Sequence, residues 1–186
     1  MITNVDSKLF ENWLSVVGIG ESGLVDLSQA ARGLVDRATI IVGGKRHLAM
    51  LDPSDRRKRI VWTSPIEDSI ESILKYRGTP VCILASGDPL CYGIGVTLLR
   101  HISIEQMTII PAPSTFSLIC ARLGWSLTDV ETLSLCGRAP DFLAAILAPG
   151  AKLLILSAGV DTPQIVADLL TQRGYGDSQI TILEHL

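Results

Sequence analysis

The six residues Pro80-Val81-Cys82-Ile83-Leu84-Ala85 form an unbroken apolar run, stopped by Ser86-Gly87-Asp88-Pro89. A surface helix or a half-exposed strand would show polar residues at period 3.6 or 2. A run of this length with no polar beat reads as a strand buried on both faces, and such strands belong to parallel sheets covered by helices. The rest of the chain fits that demand. Strands are expected at Trp13-Leu14-Ser15-Val16-Val17, over residues 38–42, at Ile60-Val61-Trp62, and over residues 107–110, 132–136, 152–157 and 180–183. Helical spacing is seen over residues 28–36, 66–76, 95–101, 116–123 and 163–173. In residues 66–76, Ile66, Ile70, Ile73 and Leu74 share one face. Gly124 and Gly174 stand where helix-ending glycines are favoured, and Pro163 stands at a helix start, where its missing N–H costs nothing.

Strand and helix alternate throughout, which predicts an α/β fold with a mainly parallel sheet. Pro111-Ala112-Pro113 stiffens the backbone and denies helix to the residue before each proline. The expected organisation is therefore an N-terminal α/β lobe over residues 13–112 and a C-terminal α/β lobe over residues 113–186.

Of the 186 residues, 47% are hydrophobic and 19% charged, enough apolar material for a substantial core and against intrinsic disorder. The net charge is −3. No basic field of the kind nucleic-acid binding needs is evident, and the one dense basic run, Arg56-Arg57-Lys58-Arg59, reads as a solvated loop. Cys82, Cys91, Cys120 and Cys136 form no C-x-x-C, so reduced and mostly buried thiols are expected. His47, His101 and His185 lack metal-ligand spacing, and no metal is expected. The first residues show no signal-peptide core and no apolar stretch reaches membrane-spanning length, which predicts a cytoplasmic protein off the membrane.

Three strand-end loops could carry chemistry. Gly18-Ile19-Gly20-Glu21-Ser22-Gly23 matches G-x-G-x-x-G, which serves either a tight turn or the close approach of a ligand to the backbone. A dinucleotide site would also need an acidic residue closing the second strand. That strand ends instead in Gly43-Gly44-Lys45-Arg46-His47, so NAD is poorly supported, while Arg46 would suit the 2′-phosphate of NADP. Ser86 to Gly93 is either an Asp-Pro turn or a loop offering Asp88 to a ligand. Pro111 to Thr115 places Ser114 and Thr115 before an apolar helix, as N-cap or as hydroxyls for a polar ligand. All three lie at carboxyl ends of strands, the ligand edge of open α/β sheets.

Taken together the loops resemble those of the tetrapyrrole methyltransferase family: Val17-Gly18-Ile19-Gly20, then Gly87-Asp88-Pro89 with Tyr92-Gly93, then Pro111 to Thr115, in the same order and spacing. Val42-Gly43-Gly44-Lys45-Arg46-His47-Leu48, Ala121-Arg122-Leu123-Gly124-Trp125 and Leu133 to Arg138 are similar to the branch that methylates carbon 5 of a precorrin, where the methylating half is often fused to a decarboxylating methyltransferase domain. The resemblance implies two lobes, a mainly parallel sheet in the first and a mixed sheet in the second, enclosing folded S-adenosylmethionine, and a homodimer. It implies cofactor contacts at Gly18, Gly20, Glu21, Gly87, Asp88, Cys91, Ser114, Thr115 and Ser157. Relatives continue past Glu184 into further strands, so the second lobe is expected to be short or part of a longer protein.

The expected activity is methyl transfer from S-adenosylmethionine to a precorrin carbon in cobalamin biosynthesis. Such a reaction rests on alignment and water exclusion, and no nucleophile-and-base pair is visible. Arg46, His47 and Arg138 are the candidates for the carboxylates of a tetrapyrrole, since guanidinium forks match carboxylates. The alternatives are an NADP-dependent reductase using the glycine loop with Lys45-Arg46, and a non-catalytic cofactor-binding domain of a larger enzyme.

Overall fold

The computed structural model describes residues 11–184, so the expectations for residues 1–10 and for His185 lie outside the described residues. The chain divides into two compact units, one running to Ser114 and one starting at Thr115.

The first unit contains strands β1 (Leu14–Ile19), β2 (Ile40–Gly43), β3 (Lys58–Val61), β4 (Val81–Ser86) and β5 (Met107–Ile110), all parallel, in the order β3-β2-β4-β1-β5. Its helices are α1 (Gln29–Arg37), α2 (Lys45–Ala49), α3 (Ile66–Leu74) and α4 (Ile94–Leu98). Successive strand residues point to opposite faces, and both faces are filled. Val81, Ile83 and Ala85 of β4 join Leu14 and Val16 of β1 with Ile70 and Ile73 of α3. Cys82 and Leu84 join Val17 and Ile19 with Ala31, Leu34 and Val35 of α1 and Leu48 of α2. Each such side chain contributes about 1.5–3 kcal/mol relative to an exposed one. This two-sided burial is what the apolar run predicts, and it raises the Cys82 thiol to about 12. Ser28 caps α1, its hydroxyl oxygen accepting from the Ala31 N–H.

The basic run departs from expectation. Lys58 and Arg59 lie in edge strand β3 rather than in a loop. Arg57 forks onto Asp55 and donates to the Val35 and Ala38 carbonyls at the end of α1, holding the Asp55 carboxyl down at about 2. Exposed cations on an edge strand discourage pairing with another chain.

The second unit contains α5 (Thr115–Leu123), β6 (Glu131–Ser134), β7 (Leu153–Leu156) and α6 (Thr162–Gln172). Leu133, Leu135, Leu143, Val166 and Leu170 form its core cluster. Gly124 and Gly174 follow α5 and α6 with φ of +64° and +84°, the left-handed cap that glycine adopts without strain. Two expectations are corrected here. Among the described residues the sheet is a parallel β6–β7 pair, not a mixed sheet. Residues 180–183 form no strand, and Ile180 and Ile182 are exposed; an apolar β-branched run becomes a strand only where a neighbour offers unpaired backbone groups. Of the cysteines, Cys82 and Cys120 are buried, but Cys136 is exposed.

Candidate functional site

Strands β4, β1 and β5 are adjacent, so the loops that follow them emerge side by side. Ile19 registers with Ser86, and Val17 with Ile110. Beyond the strands the pairing continues between loops. The Gly87 N–H donates to the Ile19 carbonyl at 2.9 Å, and the Ala112 N–H to the Gly87 carbonyl at 3.1 Å. Gly18 sits at the junction, where a Cβ would lie 2.0 Å from the Gly87 oxygen and 2.4 Å from the Ala112 nitrogen. Glycine is required there by the close approach of three backbones. Gly20 differs, since a Cβ there would meet nothing within 4 Å.

The second loop is a tight turn. The Asp88 Oδ1 accepts from the Leu90 N–H at 2.8 Å, the Asp88 carbonyl accepts from Cys91, and the Pro89 carbonyl from Gly95. Gly87 takes φ +54°, and Tyr92 takes +54° without glycine's freedom, a conformation uncommon for a bulky residue. A carboxylate has about four lone-pair sites, so the turn spends only part of the acceptor capacity of half-buried Asp88. Burial first, and the Asp88 carboxylate second, raise the Cys91 thiol, while a hydrogen bond with Ser114 pulls it back. That contact ties the second loop to the third. Gly18, Gly20, Glu21, Gly87, Asp88, Cys91 and Ser114 therefore share one sheet edge.

Thr115 and Ser157 belong to the other unit. Thr115 opens α5 and is exposed. Ser157 follows β7; its hydroxyl donates to the Gly159 carbonyl and its own carbonyl accepts the Cys136 thiol. The Thr162 Oγ1 accepts from the Ala158 and Gly159 N–H groups, 3.1 Å each, and fixes this loop. Arg138 is exposed in the turn after β6.

Helix α2 was not expected from the sequence, and it divides the two basic candidates. Adjacent helical residues point about 100° apart. Arg46 projects outward and pairs with Glu21 of the first loop at 2.5 Å, each side chain about half exposed. His47 turns inward and is 8% exposed. Its Nε2 lies 3.2 Å from the Ser86 Oγ. Burial, then the Arg46 charge, push its pKa below the ordinary value. His47 thus departs from its expected place at a substrate carboxylate, because its ring is spent on β4. Ser86 was missed for the same reason: nothing in a strand-ending serine signals a histidine 39 positions away. Among the described residues no group of three His, Cys, Asp or Glu side chains is arranged for a metal.

The chain is similar to known proteins. The family model for tetrapyrrole (corrin/porphyrin) methylases matches residues 14–186. A decarboxylating precorrin-6Y C(5,15)-methyltransferase of Sinorhizobium sp is 40% identical over 185 residues, covering 100% of this chain and 45% of that protein. A cobalt-precorrin-7 C(5)-methyltransferase of Salmonella typhimurium is 36% identical over 173 residues, covering 93% of this chain and 85% of that one. The chain thus spans about half the length of the decarboxylating relatives it matches. The crystal structure of a cobalamin-biosynthesis precorrin-6Y methylase from Archaeoglobus fulgidus matches with a TM-score of 0.59 and 26% identity, over 77% of this chain and 72% of that one. With the match beginning at the first residue of β1 and taking in all three loops, this chain belongs to the tetrapyrrole methylase family.

Proposed function

We propose that this chain binds S-adenosylmethionine at the carboxyl edge of the first sheet and methylates carbon 5 of a precorrin in cobalamin biosynthesis. The observation that carries the reading is the meeting of the β1, β4 and β5 loops at Gly18, in a chain 40% identical throughout to a precorrin methyltransferase.

The residues present fit such a ligand. Open space beside Gly20 lets a ligand approach the backbone. Asp88 retains acceptor capacity for a ribose hydroxyl or an ammonium group. Cys91 and Ser114 stand beside it, with Glu21 at the first loop; Thr115 and Ser157, in the second unit, are separate candidates taken from the family resemblance. A sulfonium supplies an electrophilic methyl group, and a reduced tetrapyrrole offers electron-rich carbons. The protein's part is then to align the two and exclude water, which supplies most of the acceleration in such a reaction. For the carboxylates of the tetrapyrrole we assign Arg46 and Arg138. An exposed ion pair is worth about 0–1 kcal/mol, so Arg46 exchanges Glu21 for a substrate carboxylate at little cost. The reading carries with it a cytoplasmic homodimer, with a decarboxylating methyltransferase domain, fused or separate, as its partner.

Calorimetry of this chain with S-adenosylhomocysteine and, separately, with NADPH tests the reading, followed by turnover on a precorrin. Binding of the first alone, with methyl transfer, is expected. Binding of NADPH alone would make the chain a reductase. S-adenosylhomocysteine binding without turnover would make it a cofactor-binding module.

A further inference from the structure

Histidine 47 is the one buried imidazole among the described residues, and the proposed chemistry does not use it. It stands in α2, the short helix that touches two of the three loops. Arg46 reaches the first loop through Glu21. His47 reaches the strand that feeds the second, meeting the Ser86 hydroxyl. Ser86 is the last residue of β4, directly before Gly87 and Asp88. A serine hydroxyl both donates and accepts, so the His47–Ser86 bond forms whichever way the proton lies on Nε2.

We propose that His47 is a positioning residue for the ligand edge: by bonding the Ser86 hydroxyl from a buried position it fixes the end of β4 and so the turn that carries Asp88. The inference rests on the reading of that edge as the S-adenosylmethionine site. Of the two adjacent basic residues, Arg46 meets the first loop at the surface, and His47 acts from beneath, through Ser86.

Two measurements on the intact chain test this, using His47→Gln, His47→Ala and Ser86→Ala. The first needs no ligand: amide hydrogen exchange at Gly87, bonded to Ile19, and at Leu90, bonded to Asp88. His47→Ala and Ser86→Ala should each speed exchange at both amides about tenfold, as a local opening, with Ile83 in mid-strand unchanged. His47→Gln, which still donates and accepts, should restore most of the protection. Unchanged Gly87 and Leu90 protection in both truncations overturns the proposal. So does a uniform rise across the sheet, which would make His47 a general stability residue. If His47→Ala fails to fold, Ser86→Ala and the Gln variant decide alone.

The second measurement is S-adenosylhomocysteine affinity at about pH 7.5. His47→Ala should weaken it about tenfold and His47→Gln should restore most of it; an affinity unchanged in His47→Ala overturns the inference. If wild type binds no S-adenosylhomocysteine, the functional reading fails, and the exchange data still decide His47.

Discussion

The two units anchor their loops differently. In the first, a five-stranded sheet covered on both faces delivers three loops whose main chains bond directly to one another, Gly87 to Ile19 and Ala112 to Gly87. In the second, a two-stranded sheet with one core cluster delivers a loop held largely by side chains, the Thr162 and Ser157 hydroxyls and the Cys136 thiol, with one main-chain bond from Thr162 to Gly159. Main-chain anchoring survives most side-chain changes and fails where a Cβ intrudes. Side-chain anchoring weakens with each group removed. A wide sheet thus builds a precise edge from its backbone, and a narrow one must recruit a helix to do it.

The largest test of this contrast is in the cores. Ile83 and Leu143 are both fully buried, one in each unit. Truncation to alanine costs about 2–5 kcal/mol, depending on how far the site can collapse. Ile83→Ala, walled on both sides, should fall in the upper part of that range and Leu143→Ala in the lower, by urea unfolding followed with unit-specific amide exchange. Equal losses would break the comparison.

The arginines come next. Arg46→Ala should weaken tetrapyrrole binding about 10- to 150-fold, the worth of a charge-assisted hydrogen bond of about 1.5–3 kcal/mol, and leave S-adenosylhomocysteine binding unchanged. Arg138→Ala tests the second carboxylate candidate by the same two affinities. An effect from Arg46 alone would assign the carboxylate contacts to the first unit. A fall in both ligands' affinities together with the melting temperature would return Arg46 to a structural role.

Smaller effects are expected at the loop anchors. Asp88→Ala should weaken S-adenosylhomocysteine binding with little change in melting temperature, because the backbone bonds around Gly87 remain. Undiminished affinity removes Asp88 from the site. Thr162→Ala should lower stability instead, by about 0.5–1.5 kcal/mol for each of the two hydrogen bonds it loses.

The smallest effect is confined to the first unit and to acid. The Asp55 carboxyl is held at about 2, below its ordinary 3.8, by the Arg57 guanidinium. A lowered pKa adds stability that is complete above about pH 4 and disappears as the pH falls toward 2. Asp55→Asn should therefore lower the urea midpoint at pH 5, and the gap from wild type should close on acidification. A gap independent of pH would mean the ion pair contributes nothing.

Much of this was legible in the sequence, and the misses share a cause. Strand β4 was readable because burial on both faces leaves no polar residue to interrupt it, and β5 because Pro111 stops an apolar run. The three loops were readable as strand-end turns rich in glycine and proline. Helix α2 was hidden, since five residues give too little periodicity to register and Gly44-Lys45-Arg46 looks like a loop. Lys58 and Arg59 looked solvated because an edge strand carries charge to protect itself. Residues 180–183 show the converse, a strand-like sequence without a strand, because pairing depends on a neighbour. The inward turn of His47 depends on Ser86, a partner that no local pattern announces.

The junction at Gly18 also limits how this loop can vary. Every single-base change away from a glycine codon that yields another residue adds a Cβ, and at position 18 that atom would lie inside the reach of two main-chain atoms that have nowhere to go. In a library randomised across residues 18–23, position 18 should return a single letter. Position 20, with empty space around its missing Cβ, should return many, with only ligand binding to thin them. Two glycines that look alike in the motif would then carry different information, one about how the chain is built and the other about what it holds.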